Sequence, residues 1–186
     1  MKTSCCPLEG IVLIEPMIFN DARGLFLECF QDERYRNAGM SDRFIQSNHS
    51  RSKKNVLRGL HYTKRKPQVQ LLTVMNGTIF DVVVDLRLES KSYGKWFGTL
   101  LGDGEWRQIY MPHGFAHGFC VLSDWADLHY KVSQYYDEKD EGGLIWNDKD
   151  LEINWPISNP IMSKRDKEHP TLRSLLPVQL PVASIN

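Results

Sequence analysis

Gln68-Val69-Gln70-Leu71-Leu72-Thr73-Val74-Met75-Asn76-Gly77-Thr78-Ile79-Phe80-Asp81-Val82-Val83-Val84-Asp85-Leu86-Arg87 is the stretch that decides the fold. Both halves are rich in β-formers, and Asn76-Gly77 between them is a strong hairpin signal. In the second half Phe80, Val82, Val84 and Leu86 share one face. Asp81, Val83, Asp85 and Arg87 form most of the other. A period of two is the strand signature, and no helix can present these residues on one stripe.

Outward from this pair the same pattern recurs in short pieces. Toward the C-terminus, Trp96–Leu101, Trp106–Met111, Phe115–Leu122 and Leu128–Ser133 read as strands. Gly102-Asp103-Gly104 and Pro112-His113-Gly114 supply turns. Toward the N-terminus, Ile11–Ile14 is a strand closed by Pro16, and Asp21-Ala22-Arg23-Gly24 is a turn into Leu25–Phe30. There Glu28 shares a face with Phe26 and Phe30, which is either a solvated edge or a carboxylate in a pocket. Phe44–His49 is extended, and Asp32–Gly39 is the best helix candidate. Many short strands and almost no helix predict an all-β sandwich or barrel, which can hold a small ligand inside. The last forty or so residues, with Trp146-Asn147-Asp148, Trp155-Pro156 and Pro160, read as an irregular tail with a short helix.

The composition narrows the function. The chain of 186 residues is long enough for one domain with a core, and we read 1–186 as that domain. Lys plus Arg and Asp plus Glu both total 23, so no global field favours nucleic acid or a membrane surface. An anionic ligand must therefore be held by a local arginine cluster. No apolar run approaches the ~20 residues of a membrane span. The N-terminus lacks a signal-peptide pattern, since Glu9 interrupts the apolar region, so the expected compartment is the cytoplasm. Cys5, Cys6, Cys29 and Cys120 form no CxxC pair, which indicates neither a zinc site nor a disulfide framework. His113 and His117 are four apart, but no His-x-His pair exists, and we expect no functional metal.

Chemistry concentrates in Arg58-Gly59-Leu60-His61. A planar guanidinium suits phosphate or carboxylate, and an imidazole suits proton transfer near neutrality. The two lie an odd number of residues apart, so an ideal strand points them to opposite faces. Either Gly59 marks a bulge, or Arg58 sits at the barrel mouth. Further along, Leu128, Tyr130 and Val132 alternate with Asp127, His129, Lys131 and Ser133, which turns Tyr130 inward.

Five stretches in order carry a family resemblance: Asp21–Glu28, Gln46-Ser47-Asn48-His49-Ser50, Arg58–His61, Pro112–Phe119, and Tyr130 through Tyr136 and Glu141 to Asp148. Over about residues 8–172 the chain resembles the dTDP-4-dehydrorhamnose 3,5-epimerase family. The resemblance implies a cupin-type jelly roll, usually a homodimer, acting on a nucleotide-linked 4-keto-6-deoxy sugar without metal or organic cofactor. On the matching positions, His61 is the proton acceptor, Asp166 the carboxylate that orients it, and Tyr130 the proton donor. Arg23, Arg58, Gln46 and Asn48, with Ser47 in the same motif, match nucleotide-diphosphate and sugar contacts. Glu28, His117 and Glu141 match further ligand contacts, and Phe26 is a pocket candidate. Tyr136 falls where the family stacks a residue on the base, and Arg165 where many members carry Lys. Gln70 stands where members usually carry the Lys of a Gln-x-Lys-Leu run, which bears on stabilisation of the sugar O4; Lys64 or Lys66 could replace that cation. The alternatives are inversion of one centre only, another nucleotide carrier, or a non-catalytic cupin that binds a nucleotide sugar.

Overall fold

The computed structural model describes residues 1–102, 104 and 106–182, so Asp103 of the expected 102–104 turn lies outside them. The strands are β1 (Lys2–Cys5), β2 (Val12–Glu15), β3 (Ile18–Asp21), β4 (Gly24–Leu27), β5 (Gln46–Lys53), β6 (Leu57–Thr63) and β7 (Gln70–Asn76). They continue with β8 (Thr78–Asp85), β9 (Trp96–Gly102), β10 (Gln108–Met111), β11 (Phe115–Val121), β12 (Trp125–Val132) and β13 (Glu141–Gly143). Helix α1 (Asp32–Asn37) falls where the sequence placed a helix, and α2 (Lys164–Lys167) is the short helix of the tail. Antiparallel pairing joins β5 to β12, β6 to β11, β7 to β10 and β8 to β9. This is a ribbon of strand pairs rolled so that successive pairs fall in alternate sheets, the jelly-roll arrangement. One sheet runs β1-β2-β10-β7-β12-β5 and the other β13-β6-β11-β8-β9. Leu72, Val74 and Ile109 of the first sheet meet Ile79, Val83, Phe119 and Val121 of the second in the main core.

Two expectations change on contact with this topology. Asn76-Gly77 does not close a hairpin, because β7 and β8 lie in different sheets. Gly77 does take a left-handed φ of 79°. However, β7 already pairs with β10 and β12, and β8 with β11 and β9, so neither has a free edge. The turn dipeptide makes a corner from one sheet to the other. The alternation of β8 also hides two buried faces. Ile79 and Val83 face the main core, while Val82, Val84 and Leu86 pack with Leu144, Leu151 and Leu180 of the tail. The tail is tied down by its backbone: Leu144 N–H donates to the Leu60 carbonyl at 2.9 Å and Val182 N–H to Lys64 at 2.8 Å.

Strand β6 carries the second determinant of the site. Against β11, His61 pairs with His117 and Arg58 with Phe119, so three residue steps on β6 face two on β11. That is a bulge at Gly59-Leu60, whose peptide is cis. It reverses the side-chain parity between Arg58 and His61 and brings both to the inner face. The bulge reading therefore holds, and Arg58, which is exposed, also fits a place at the cavity mouth. Gly59 has φ +122°, and a Cβ there would stand 2.5 Å from the Gly118 Cα and 2.8 Å from the His117 carbonyl oxygen. Both atoms are backbone and cannot step aside. Gly59→Ala should cost about 3 kcal/mol by strain and overpacking. Urea denaturation checks this; a midpoint unchanged from wild type contradicts it.

Candidate active site

A cavity of about 440 Å³ opens between the two sheets. From the second sheet it takes Arg58, His61, His117 and Phe119, and from the first Gln46, Asn48, Gln70 and Tyr130. Tyr136, Glu141 and Arg165 close part of its rim. The ten expected residues His61, Tyr130, Arg58, Gln46, Asn48, Gln70, His117, Tyr136, Glu141 and Arg165 thus converge from sequence positions far apart.

His61 is held from behind. Its Nε2 lies 3.0 Å from Asp166 Oδ1, and the Asp166 side chain is only 4% exposed. α2 delivers that carboxylate: Ser163 Oγ caps the helix by accepting from the Asp166 N–H at 3.1 Å. The Gly59 N–H reaches the other carboxylate oxygen at 3.4 Å. Burial alone would raise the Asp166 pKa, but the hydrogen bond and charge of His61, with Ser163 and Gly59, hold it down to about 2. Asp166 is therefore anionic, accepts the Nε2–H of His61 and leaves Nδ1 as the free lone pair. Nδ1 lies 3.9 Å from Glu141 Oε1.

Tyr130 comes from the opposite sheet. Burial raises its pKa; Arg58 and Asn48 pull it down, Glu141 pushes it up, and the net shift is upward. The phenol thus keeps its proton at neutral pH and can donate it. An imidazole base and a phenolic acid on facing walls of one cavity can remove a proton from one face of a bound ring and return one to the other.

Four expected residues lie outside this cavity. β3 and β4 pair only with each other, as a separate two-stranded sheet. On that hairpin Arg23 is ion-paired with Asp21 at 2.6 Å, and Phe26 is 69% exposed. Glu28 sits 3.1 Å from Arg34 rather than in a pocket. Ser47 alternates with the two cavity residues Gln46 and Asn48, so it faces away and meets Lys131 Nζ at 3.3 Å. The candidate replacement cations also lie elsewhere. Lys66 is bound to Asp137 at 2.6 Å, and neither it nor Lys64 lines the cavity.

Other contributors were not picked out in the sequence. Asp81 is fully buried and meets His117 Nε2 at 2.7 Å, giving the cavity a second histidine–aspartate pair. An acid set among valines in one strand was the available signal. Gln68 and Leu72 also line the cavity. His113 and His117 do not face a common ligand: His113 is bonded to the Val182 carbonyl at 2.9 Å. Among the described residues no helix is long and apolar enough to cross a membrane.

Known proteins resemble this chain in sequence and in fold. The family model described as dTDP-4-dehydrorhamnose 3,5-epimerase matches residues 5–174. The dTDP-4-dehydrorhamnose 3,5-epimerase of Shigella flexneri is 45% identical over 86% of this chain and 89% of its own. The dTDP-4-dehydrorhamnose 3-epimerase of Streptomyces niveus is 41% identical over 87% of this chain and 79% of its own. A crystal structure of dTDP-6-deoxy-D-glucose-3,5-epimerase from Legionella pneumophila, in complex with dTDP-4-keto-L-rhamnose, superposes with a TM-score of 0.94 at 40% identity, covering 99% of each chain.

Proposed function

Because the chain belongs to the dTDP-4-dehydrorhamnose 3,5-epimerase family, we propose that it works with His61 as base, Tyr130 as acid and Asp166 as the group that orients the base. The activity is that of an isomerase inverting C3 and C5 of a dTDP-linked 4-keto-6-deoxy sugar. Both carbons are α to the C4 ketone, so their protons are acidic enough for an imidazole. The charge left behind moves to O4 as an enolate, and a proton then returns from the other face. One observation carries the assignment: His61 and Tyr130 line one cavity from opposing sheets, with Asp166 on the far nitrogen of His61. Arg58, Gln46 and Asn48 are the cavity groups available to the diphosphate and sugar, with His117 and Glu141 beside them. Tyr136 is 59% exposed at the rim and offers a ring for the nucleotide base to stack on. The enolate route leaves the oxidation state of the sugar unchanged. NMR of the protein with dTDP-4-keto-6-deoxyglucose in heavy water should show deuterium entering C3 and C5. Absence of deuterium at both carbons would refute the assignment.

The active form we infer is a homodimer. Arg23 and Glu28 match ligand contacts of the family and Phe26 is a pocket candidate, yet none of the three lines the cavity of its own chain. The hairpin also exposes Phe19, Leu25 and Phe26, at 55%, 46% and 69%. A hairpin lent to the cavity of a second copy accounts for both facts. Analytical ultracentrifugation should give a dimer at micromolar concentration; a fully active monomer contradicts this. We further propose that residues 1–186 are one epimerase domain with its core at about 8–172, which the family match over 5–174 supports. A cytoplasmic setting is favoured by the four unpaired cysteines. Fractionation of the producing cell tests it, and recovery outside the cytoplasm would reject it.

A further inference from the structure

His169 has no place in the chemistry above, yet it is built into the site with care. Asp166 Oδ1, which faces His61 Nε2 at 3.0 Å, lies 3.8 Å from His169 Nε2. The donor atoms of the three side chains all lie within 4.8 Å of one another. The two imidazole rings meet edge to face, with centroids 5.6 Å apart and planes at 81°. Gly143, the β13 residue paired with His61, makes the room: any Cβ there would run into the His169 ring. The Ile145 N–H fixes the adjoining Pro170 carbonyl at 2.9 Å. His169 Nε2 is buried and has no hydrogen-bond partner. A buried ring nitrogen left unpaired is costly, and a movement of under ~1 Å brings it within bonding range of Asp166.

We propose that His169 is a positioning residue, a second imidazole on the Asp166 carboxylate, which forms a His61–Asp166–His169 line and limits the negative charge that Asp166 presents to the base. This rests on His61 being the base. Burial, then the proximity of His61 on β6, lowers the His169 pKa, and Arg165 on α2 acts in the same direction. Asp166 on α2 and Glu141 on β13 oppose without reversing it. His169 is therefore neutral at neutral pH, and its Nε2–H is a donor aimed at an anion. Asp166 stabilises the imidazolium that forms when His61 takes a proton. Arg165 Nε already stands 3.7 Å from the same oxygen, and a hydrogen bond from His169 draws off further charge, so the base unloads its proton more readily.

The acid limb of kcat/KM reads this directly, because it reports loss of the unprotonated base. In His169→Phe, which fills the space but carries no donor, the limb should move to higher pH by about one unit. Below the limb that is a fall of up to about tenfold, with the plateau little changed. His169→Gln restores a neutral donor and should return the limb toward wild type. A limb that stays put in His169→Phe overturns the proposal, as does an equal loss at every pH that Gln does not rescue. Should His169→Phe fail to fold, the side-chain 15N spectrum of the wild type decides. A proton on His169 Nε2 at neutral pH supports the line, and a bare Nε2 overturns it. If His61→Ala keeps its exchange activity, the base assignment fails instead, and the 15N spectrum still tests the line on its own.

Discussion

His61→Ala should lower deuterium exchange at both C3 and C5 by about 10³-fold, while substrate affinity changes little. The expectation for both centres together has a structural reason. C3 and C5 flank the same ketone, and the cavity offers His61 Nδ1 as a lone pair whose partner nitrogen is already bound to an anionic carboxylate. His117 is the rival imidazole in the cavity. It also lines the cavity and is backed by Asp81, but its side chain is 12% exposed against 27% for His61. Exchange that survives at a single carbon in His61→Ala would assign that carbon to His117 and split the reaction between two bases. Tyr130→Phe should behave differently. A base can remove and return a proton on one face without help, so exchange persists while inversion falls by about 10²-fold. Equal and total loss of exchange in both variants would count against this division of labour. Wild-type substrate binding, measured by calorimetry, separates either result from a collapsed cavity.

The sequence carried the strands and the inward turn of Tyr130 because both depend on a local period of two. It could not carry Asn76-Gly77 correctly, since turn chemistry specifies a reversal but not which sheet receives the next strand. That choice is made by the free edges, and β7 and β8 each had two partners elsewhere. Gly59 was legible as a conflict: Arg58 and His61 could not share a face on an ideal strand, and a bulge was one of two ways to let them. Its confirmation needed Gly118, which stands opposite it with no side chain of its own. Asp166 became visible only through resemblance, because nothing local marks an acid in a four-residue helix as the partner of a histidine more than a hundred residues away. Arg23, Phe26 and Glu28 were read as pocket residues from their motif. A motif marks residue types in order, but it does not say whether the fold brings them to the cavity of their own chain.

Gln70→Lys should raise the rate at the slower of the two centres by about a hundredfold, with little change in KM. Charge develops on O4 as each proton leaves, and a lysine there would meet it as a full charge. An amide meets it with a neutral hydrogen bond, and charge-assisted bonds are roughly twice as strong. Loss of one donor of this kind typically costs ~3 kcal/mol of transition-state stabilisation. Gln70 is further occupied, since its Nε2 donates to Gln68 Oε1 at 3.3 Å inside the cavity. The lysines of the neighbouring loop do not compensate, because neither Lys64 nor Lys66 lines the cavity. Two cationic side chains do line it. Arg165 is spent on Glu141 at 2.5 Å, whereas Arg58 gives its Nε–H to Ser52 Oγ at 3.0 Å and forms no ion pair among the described residues. Arg58 also lies close enough to Tyr130 to lower its pKa, which puts its charge beside the acid. If Gln70→Lys leaves both rates unchanged, Arg58 is the group that holds O4, and Arg58→Lys should then slow both inversions while Gln70→Ala does not. A gain confined to one carbon would show that the enolate toward that carbon is the one the wild type stabilises least.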